Sequence, residues 1–468
     1  MMNTPILQKL IEHAHDQPVS LHVPGHKNGE LAEGDYGRFF EQVMKLDVTE
    51  LPGFDDLHAP SECIYEAEQL AAEQYGIART RFLVGGSTVG NLAMLLAFCN
   101  RGDTVFVQRD SHQSIVHGLE LAGVQAVFLR SDLDEQTDLS RGIGRATLAS
   151  AYKAYPNARA LVMTSPSYYG SVGELEAVVN LAKSYGLSVL VDEAHGAHLH
   201  IDSTFPRSAL ELGADAVVQS AHKTLPALTM GAYLHLRSLK DEWKINGWLK
   251  RLQTSSPSYI IMASLDAARA YARTMKQRKP ARALSRFHSK VHTKIPGASV
   301  STEDPLKLLM YVPEGYTGSN WEKEFHRQGV YPELSNEQFV LLILPIQMSE
   351  SYEHELLHVL GELYDEQTLP KKKQRFTPDY PETSMISFES IGETATEYIH
   401  LDQAVGRTIA EEVVPYPPGI PLWIVGERID ESRLVFLLEW CKSGGRVQGG
   451  NQLQNDELLV VKEEVTYE

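Results

Sequence analysis

The chain has 468 residues, of which 43% are hydrophobic and 22% charged, the composition of an ordinary folded protein. This length predicts about two or three compact units instead of a single core. The formal net charge of −18 argues against nucleic acid and anionic membranes as partners, because both would repel the chain at long range.

The three cysteines, Cys63, Cys99 and Cys441, lie far apart in the chain and have no histidine at metal-ligand spacing. Neither a disulfide framework nor a metal site is therefore expected. Charged residues interrupt the N-terminal stretch where a signal peptide would need an apolar run, and no apolar run reaches the roughly 20 residues that cross a bilayer. These features predict a cytoplasmic protein.

Residues 1–60 contain little core material and are predicted to form an arm instead of a domain. One amphipathic helix, with Ile6 and Leu10 on its apolar side, is followed by two polar clusters. The cluster His22-Val23-Pro24-Gly25-His26-Lys27 places two histidines and a lysine around a Pro-Gly turn. The cluster Gly53-Phe54-Asp55-Asp56-Leu57-His58 places paired carboxylates in a loop.

From residue 61 to residue 293, helical patterns alternate with short buried strands, which is typical of an α/β domain with a doubly wound, mostly parallel sheet. We predict one large domain here, with a seven-stranded sheet. A long helix is expected to begin at Pro257 and to run to about residue 293. The predicted strands are residues 81–84, 104–107, 126–129, 160–163, 188–191, 216–218 and 232–236.

Residues 294–468 are predicted to form a smaller α+β C-terminal domain. A segment rich in lysine and proline, residues 371–381, is expected to divide it. The predicted strands are residues 306–312 and 339–344, and the predicted helices are residues 321–328, 353–363, about 402–412 and about 431–442.

The residues with chemistry follow the predicted parallel strands, at the sheet edge where ligands bind in such folds. One strand is followed by Gly85-Gly86-Ser87-Thr88 at a helix N-terminus, where N–H groups and hydroxyls can bind a phosphate. Another ends at Asp192, and a buried carboxylate there needs a nearby cation. A third is followed by Ser220-Ala221-His222-Lys223-Thr224.

Each feature has an ordinary explanation when it is taken alone. Lys223 can be a surface lysine beyond its strand, and the Gly-Gly-Ser run can be a tight turn. Together they supply a phosphate site, a buried carboxylate and an amine at one edge of the sheet. Pyridoxal 5′-phosphate needs this set, because a lysine, a carboxylate for the ring nitrogen and phosphate ligands are the groups that hold it.

The sequence also resembles the Orn/Lys/Arg decarboxylase family over nearly its whole length, with the motifs in family order. The resemblance implies pyridoxal phosphate as cofactor and the aspartate-aminotransferase type of fold, fold type I. The motifs are Ser220-Ala221-His222-Lys223-Thr224, Asp192-Glu193-Ala194-His195-Gly196, His22-Val23-Pro24-Gly25-His26-Lys27, Asp55-Asp56-Leu57-His58-Ala59-Pro60, Thr254-Ser255-Ser256-Pro257-Ser258-Tyr259 and Pro415-Tyr416-Pro417-Pro418-Gly419-Ile420-Pro421.

The resemblance implies a role for each matching residue. Lys223 would link to the cofactor covalently, Asp192 would pair with its ring nitrogen, and His112 would stack on its ring. His195 and Ala194 would lie near the reacting group, on either side of the cofactor. The phosphate would be held by Gly86, Ser87, Thr88, Ser220, His222 and, from a second subunit, Ser255.

The resemblance further implies a homodimer in which the arm crosses the subunit interface. Asp55 and Asp56 would then lie near the neighbouring active site and meet the distal cation of a basic amino acid, with Glu333 as a further candidate. The chain departs from the family pattern at His195, where some relatives have tryptophan, and at Met230, where many have glutamine. It is expected to be a short form without the N-terminal wing domain of larger relatives.

The implied reaction, a step of polyamine biosynthesis, is α-decarboxylation of arginine, lysine or ornithine to the corresponding di- or polyamine and carbon dioxide. Lys223, His195 or His222 would protonate the product carbon. The alternatives are an aminotransferase or aldolase of the same fold, and a protein that binds pyridoxal phosphate without turnover. The residues do not choose among the three substrates, because each places a cation at the end of an aliphatic stem.

Overall fold

A computed structural model describes residues 3–365, 367–369, 378–388, 395–416 and 419–462. Its α-helices are α1 (Pro5–Asp16), α2 (Gly34–Leu46), α3 (Cys63–Tyr75), α4 (Gly86–Phe98), α5 (Gln113–Ala122), α6 (Arg145–Ala154), α7 (Leu175–Ser184), α8 (Ala209–Leu212), α9 (Ala221–Thr224), α10 (Glu242–Leu252), α11 (Tyr259–Lys276), α12 (Pro280–Lys294), α13 (Gly318–Arg327), α14 (Glu350–Tyr364) and α15 (Glu431–Lys442). Within the described ranges, none of the helices combines the length and apolarity needed to span a membrane.

The strands of the described residues are short, and most are five residues long. They are β1 (Arg79–Leu83), β2 (Thr104–Gln108), β3 (Gln125–Leu129), β4 (Ala160–Thr164), β5 (Ser188–Asp192), β6 (Ala216–Gln219), β7 (Ala232–Leu236), β8 (Ser299–Val300), β9 (Lys307–Tyr311), β10 (Leu334–Ser335), β11 (Phe339–Ile343), β12 (Thr383–Ser387), β13 (Thr396–His400), β14 (Val413–Tyr416), β15 (Arg446–Gly449) and β16 (Glu457–Val461).

Two compact units divide the chain. Unit 1 consists of Met1–Phe98 and Ser188–Pro280, and unit 2 consists of Cys99–Leu187 and Ala281–Glu468. The large sheet is mixed and has eight strands. The predicted α/β class is therefore confirmed, whereas the domain boundaries at residues 60 and 293 stay predictions.

In unit 1, β6 pairs in parallel with β5 and antiparallel with β7, and β7 pairs antiparallel with β1. The apolar runs of β5 and β6 are almost fully buried, as in strands covered on both faces. Helix α4 approaches these strands closely at Gly90. A Cβ atom there would lie 2.7 Å from Leu83 Cδ1 and 2.8 Å from Val218 Cγ1, so this crossing requires glycine.

In unit 2, β2 pairs in parallel with both β3 and β4. A separate antiparallel sheet has the order β10-β11-β9-β8, and two ribbons pair β13 with β16 and β14 with β15. Trp423 and Leu437 are fully buried in a core cluster that also contains residues of these ribbons. The C-terminal part of the chain thus has its own hydrophobic core.

The predicted count of seven strands is corrected by β12, which pairs antiparallel with β3 and adds an eighth strand. Only Ile386 of this strand is buried, so its sequence has too little apolar character to predict a strand. Residues 371–377 of the predicted linker, which precede this strand, lie outside the described residues, as do Pro417 and Pro418 of the proline-rich motif.

Two helix predictions were wrong. The helix expected from Pro257 to about residue 293 is two helices, α11 and α12, because Lys279 has a φ of +48° and Pro280 has no N–H to continue the ladder. The helix expected near residues 402–412 is a 3-10 turn, Leu401–Gln403, followed by irregular chain. Gly406 has a φ of +86° there, which is incompatible with a continuing helix.

Candidate active site

Asp192 is the last residue of β5 and is 3% exposed. Its Oδ2 accepts a hydrogen bond from Asn91 Nδ2 at 2.9 Å, and its Oδ1 accepts one from the Ala194 N–H at 3.1 Å. The described residues give this carboxylate no ion-pair partner. The cation that a buried carboxylate needs is therefore one that a ligand would supply.

Lys223 lies in the short helix α9, which begins just after β6. Its Nζ is 3.1 Å from Nε2 of His195, a residue that is 3% exposed. The two residues follow β6 and β5, which are neighbouring parallel strands, and this explains why side chains 28 positions apart meet. A proton can pass directly between the amine and the imidazole at this distance.

Helix α4 and the end of β6 carry the groups predicted to bind phosphate. The Gly86 N–H donates to the Met230 carbonyl at 2.8 Å, and Ser87 and Thr88 follow in the first turn, half-buried and exposed respectively. Ser220 is fully buried, and its Oγ has no hydrogen-bond partner within the described residues. A buried hydroxyl normally has a hydrogen-bond partner, and a phosphate oxygen would supply one here.

The ring of His222 has its orientation fixed by the chain itself. Its Nδ1 donates to the Gly231 carbonyl at 3.0 Å, and its backbone N–H donates to the same oxygen at 3.2 Å. Because Nδ1 carries the hydrogen, Nε2 is the acceptor of the neutral ring. A ring nitrogen that binds a phosphate oxygen must donate a hydrogen. Nε2 of His222 can do this only when the imidazole is protonated.

Glu193, next to Asp192, is fully buried and supports the turn that carries His195. Its carboxyl accepts hydrogen bonds from Ser208 Oγ at 2.7 Å, Gln219 Nε2 at 3.1 Å and the Ala209 N–H at 3.2 Å. Burial raises the pKa of Glu193 to about 8, although these three donors act in the opposite direction. The carboxyl is therefore mostly neutral at pH 7.

Asp55 and Asp56 have different surroundings in unit 1. The Asp55 carboxylate accepts five backbone N–H bonds, at 2.7–3.2 Å, from residues 56, 61, 62, 64 and 65. It binds the N-terminus of α3, where a negative charge is favourable. Asp56 accepts one hydrogen bond, from the His58 N–H at 2.7 Å, and has the greater capacity left for a substrate cation.

Three further predicted site residues lie elsewhere. In unit 2, His112 precedes α5, and its Nδ1 accepts a hydrogen bond from the Ser114 N–H at 3.1 Å. Glu333, also in unit 2, is exposed and lines a cavity of about 730 Å³. In unit 1, Ser255 is exposed in the segment between α10 and α11. The roles of all three stay predictions.

The residues present in unit 1 fit pyridoxal phosphate. Among the described residues, Asp192 forms no ion pair and the buried Ser220 Oγ has no hydrogen-bond partner, while Lys223 places an amine next to an imidazole. A cationic ring nitrogen, a phosphate and an aldehyde carbon would match these three groups in turn. No group of His, Cys, Asp and Glu in the described ranges is arranged to hold a metal ion.

Sequence reasoning missed Asn91 and the partners of Glu193. Asn91 lies one turn after Ser87 in α4, so it shares a helix face with a residue that was predicted to bind phosphate. A fully buried polar residue in an otherwise apolar helix was the available signal. The contacts of Glu193 with Ser208 and Gln219 depend on tertiary packing and had no such signal.

Comparison with known proteins gives consistent matches along the chain. Residues 4–294 match the family described as Orn/Lys/Arg decarboxylase, major domain, and residues 369–449 match its C-terminal domain. The chain is 41% identical over 483 residues to the uncharacterized protein YaaO of Bacillus subtilis, with 99% of each chain covered. It is 32% identical over 482 residues to arginine decarboxylase of Bacillus subtilis, with 98% of each covered.

Among solved structures, the fold is similar to that of the constitutive lysine decarboxylase of Escherichia coli. The TM-score is 0.79 at 18% sequence identity, and the match covers 98% of this chain and 82% of the other. At this level of identity the likeness concerns the fold.

Proposed function

This chain belongs to the Orn/Lys/Arg decarboxylase family, and from that premise we propose that it releases the α-carboxylate of a basic amino acid as carbon dioxide and forms the corresponding amine. The family resemblance predicted from the motifs is thereby confirmed. The observation that carries the proposal is the pairing of Lys223 Nζ with His195 Nε2, at 3.1 Å, beside a strand that ends in the buried Asp192.

The enzyme depends on pyridoxal phosphate, which when bound supplies an electron sink for the carbon that loses carbon dioxide. Lys223 would hold the cofactor through Nζ and release it to the substrate amine. Asp192 would hold a proton on the ring nitrogen, and Asn91 and the Ala194 N–H orient its two oxygens for this. Phosphate ligands would be Gly86, Ser87, Thr88, Ser220, His222 and, from a second subunit, Ser255.

Lys223 and His195 are the groups that would move the proton. As a free amine, Lys223 Nζ lies within hydrogen-bond distance of His195, so either residue would be able to carry the proton destined for the product carbon. His195 is buried, which keeps water from competing for this step. His112 would stack on the ring, and Ala194 would lie beside it.

Arginine is the substrate that we propose first, and lysine second. The planar fork of arginine pairs with carboxylates through two hydrogen bonds, and the relative that is 32% identical over nearly the whole chain is an arginine decarboxylase. Asp56 is the better candidate for the distal cation, since Asp55 is occupied by five backbone N–H groups. Glu333 is the further candidate.

We also propose a homodimer and a cytoplasmic location. Exposed apolar side chains of the arm support the dimer, since Val19 is 86% exposed, Leu21 90% and Phe39 74%, and a second subunit would cover them. Three free cysteines are compatible with a reducing compartment. Light scattering on the purified protein and cell fractionation test the two proposals, and a monomer of full activity would contradict the first.

The deciding experiment measures carbon dioxide and amine products from arginine, lysine and ornithine with the cofactor-loaded protein. We expect agmatine from arginine at the highest kcat/KM and no keto acid. Formation of keto acid would instead identify an aminotransferase. A cofactor absorbance band that no amino acid alters would identify a binding protein without turnover.

A further inference from the structure

A buried ion triad in unit 2 consists of Arg109, Glu427 and Arg433, whose side chains are 2–5% exposed. Glu427 Oε2 accepts hydrogen bonds from Arg109 Nη2 at 2.8 Å and from Arg433 Nη1 at 2.9 Å, and its Oε1 accepts one from Arg109 Nε at 3.2 Å. Burial opposes ionisation of Glu427, but the two guanidinium charges outweigh it and lower the pKa of this carboxyl. The triad is therefore ionised.

The triad fixes residues 419–422, which we call the strap. Arg109 donates from Nη1 to the Pro421 carbonyl at 2.9 Å and from Nη2 to the Leu422 carbonyl at 3.0 Å. Arg433 Nη1 donates to the same Leu422 carbonyl at 3.1 Å. The strap is thus held by backbone contacts at its C-terminal end, independently of its own side chains.

The other end of the strap lies against His112. Gly419 has a φ of +86°, and a Cβ atom there would be 3.2 Å from both Cδ2 and Nε2 of the imidazole. The Gly419 carbonyl accepts a hydrogen bond from the Gln113 N–H at 3.1 Å, which joins the strap to the residue next to His112. Arg109 lies three residues before His112, so the triad holds both the loop that carries the ring and the strap that approaches it at Gly419.

We propose that Arg109, Glu427, Arg433 and Gly419 are positioning residues that set the plane of the His112 ring. This inference rests on the proposed function, in which His112 stacks on the cofactor. A buried ion triad is seldom better for stability than apolar residues of the same volume. A ring that must lie flat against a cofactor needs fixed neighbours, and Gly419 is one, since a Cβ atom there would be 3.2 Å from the imidazole.

Gly419→Ala tests the inference with a matched control, Gly406→Ala. Both glycines lie in unit 2 with a φ of +86°, but a Cβ at Gly406 would meet nothing within 4 Å, whereas one at Gly419 would meet His112. The two variants share the backbone strain and differ in the contact with the ring. We expect Gly419→Ala to lower kcat by about 10- to 100-fold, since small misplacements at an active site have effects of this size.

The variants are compared in the cofactor-loaded full-length protein by carbon dioxide release and by circular dichroism of the cofactor absorbance band, which reports the surroundings of the ring. We expect Gly419→Ala to change this signal and Gly406→Ala to leave it as in the parent protein. Equal behaviour of the two variants in both measurements would overturn the inference.

A double-substitution cycle identifies the path of the effect. If Gly419 acts through His112, Gly419→Ala has no further effect once His112→Ala has removed the ring, and full additivity of the two losses would overturn the inference.

A further pair of variants tests the triad itself. Glu427→Gln removes the carboxylate of the triad, and its control, Glu397→Gln, removes a carboxylate that pairs with Arg407 at a half-exposed site. We expect a changed dichroism signal from Glu427→Gln alone, and a folded variant with the parent signal would count against the triad.

Failure of the proposed function gives a different result. A parent protein that releases no carbon dioxide from any basic amino acid would contradict the decarboxylase proposal before any variant is compared. An active parent with a normal cofactor band, together with an unchanged Gly419→Ala variant, would contradict only the positioning role of the strap.

Discussion

Lys223 Nζ and His195 Nε2 lie 3.1 Å apart at the ends of two neighbouring parallel strands. The imidazole belongs to a turn that the buried Glu193 supports by accepting a hydrogen bond from Ser208, whereas the lysine lies in α9, directly after β6. Amine and imidazole can therefore exchange a proton without movement of either strand. In the proposed function, this arrangement gives cofactor binding to Lys223 and places a proton partner, His195, beside it.

Lys223→Ala is expected to lower carbon dioxide release by at least about 1,000-fold, because the variant loses both the covalent attachment of the cofactor and an acid–base group. Lys223→Arg keeps a cation at the position but not a reactive amine, and we expect it to be equally impaired. Product assays and the absorbance of the bound cofactor measure the effect. A Lys223→Ala protein with full turnover would end the proposal.

His195→Ala is expected to lower kcat by about 100-fold through loss of proton transfer, while the cofactor remains attached to Lys223. The measurement is steady-state kinetics together with the absorbance band of the attached cofactor. His354→Ala, which removes an exposed histidine of α14, is the control and should behave as the parent protein. A loss of the attached cofactor in His195→Ala would show instead that the imidazole maintains the site and does not relay a proton.

Asn91→Ala is expected to lower the free energy of unfolding of the protein without cofactor by about 1.5–3 kcal/mol, because a buried hydrogen bond to a charged group is lost. The bond joins Asn91 Nδ2 to Asp192 Oδ2 at 2.9 Å. Asn100→Ala removes the same type of bond, to Asp103 Oδ2 at 3.0 Å, at an exposed site. Denaturant unfolding should show a much smaller decrease in the free energy of unfolding for Asn100→Ala. Equal decreases for the two variants would mean that the Asp192 carboxylate does not need its amide partner.

The sequence predicted best what depends on neighbouring residues. The central strands were placed within one or two residues, because their apolar runs are continuous and bounded by polar residues. Asp192 and Lys223 were singled out for the same reason, since each follows such a run. The strand β12 was missed because four of its five residues are not buried, and its place beside β3 depends on partners 254 to 262 positions away in the chain.

Contacts between distant segments could not be predicted from one sequence. Glu427 meets Arg109 across 318 positions, and neither residue has a local pattern that indicates the other. The sequence also could not distinguish the roles of Asp55 and Asp56, because two adjacent aspartates look equivalent in it. Only the backbone conformation, with a φ of +75° at Asp55, turns one of them towards the N-terminus of α3.

Asp55→Ala and Asp56→Ala are therefore expected to differ. Loss of the Asp55 carboxylate leaves five backbone N–H groups without their acceptor and should lower the free energy of unfolding by about 2 kcal/mol or more. Asp56→Ala removes one such bond and should mainly raise KM for a basic substrate. Thermal unfolding and steady-state kinetics distinguish them, and the reverse pattern would assign Asp55 to the substrate.

The pH dependence of stability is expected to report the buried carboxyl of Glu193, whose pKa is raised from its ordinary value of 4.5 to about 8 by burial. Between these two values the unfolded chain has lost the proton that the folded protein keeps. The contribution of Glu193 to the free energy of unfolding is therefore fully present below pH 4.5 and is lost as the pH rises towards about 8. The slope of this loss is up to about 1.4 kcal/mol per pH unit. Above about pH 8 the contribution of Glu193 no longer changes with pH.

Glu193→Gln should flatten this slope, because an amide of the same shape remains neutral at every pH and can keep the contacts with Ser208 and Gln219. The free energy of unfolding of the two proteins without cofactor, measured from pH 5 to pH 9 in urea, gives the difference in bound protons directly. Glu73→Gln, an exposed exchange of the same kind in helix α3, should leave the slope unchanged. Parallel curves for the parent protein and Glu193→Gln would mean that Glu193 is ionised in the folded state, in which case its three donors, and not its burial, determine its charge.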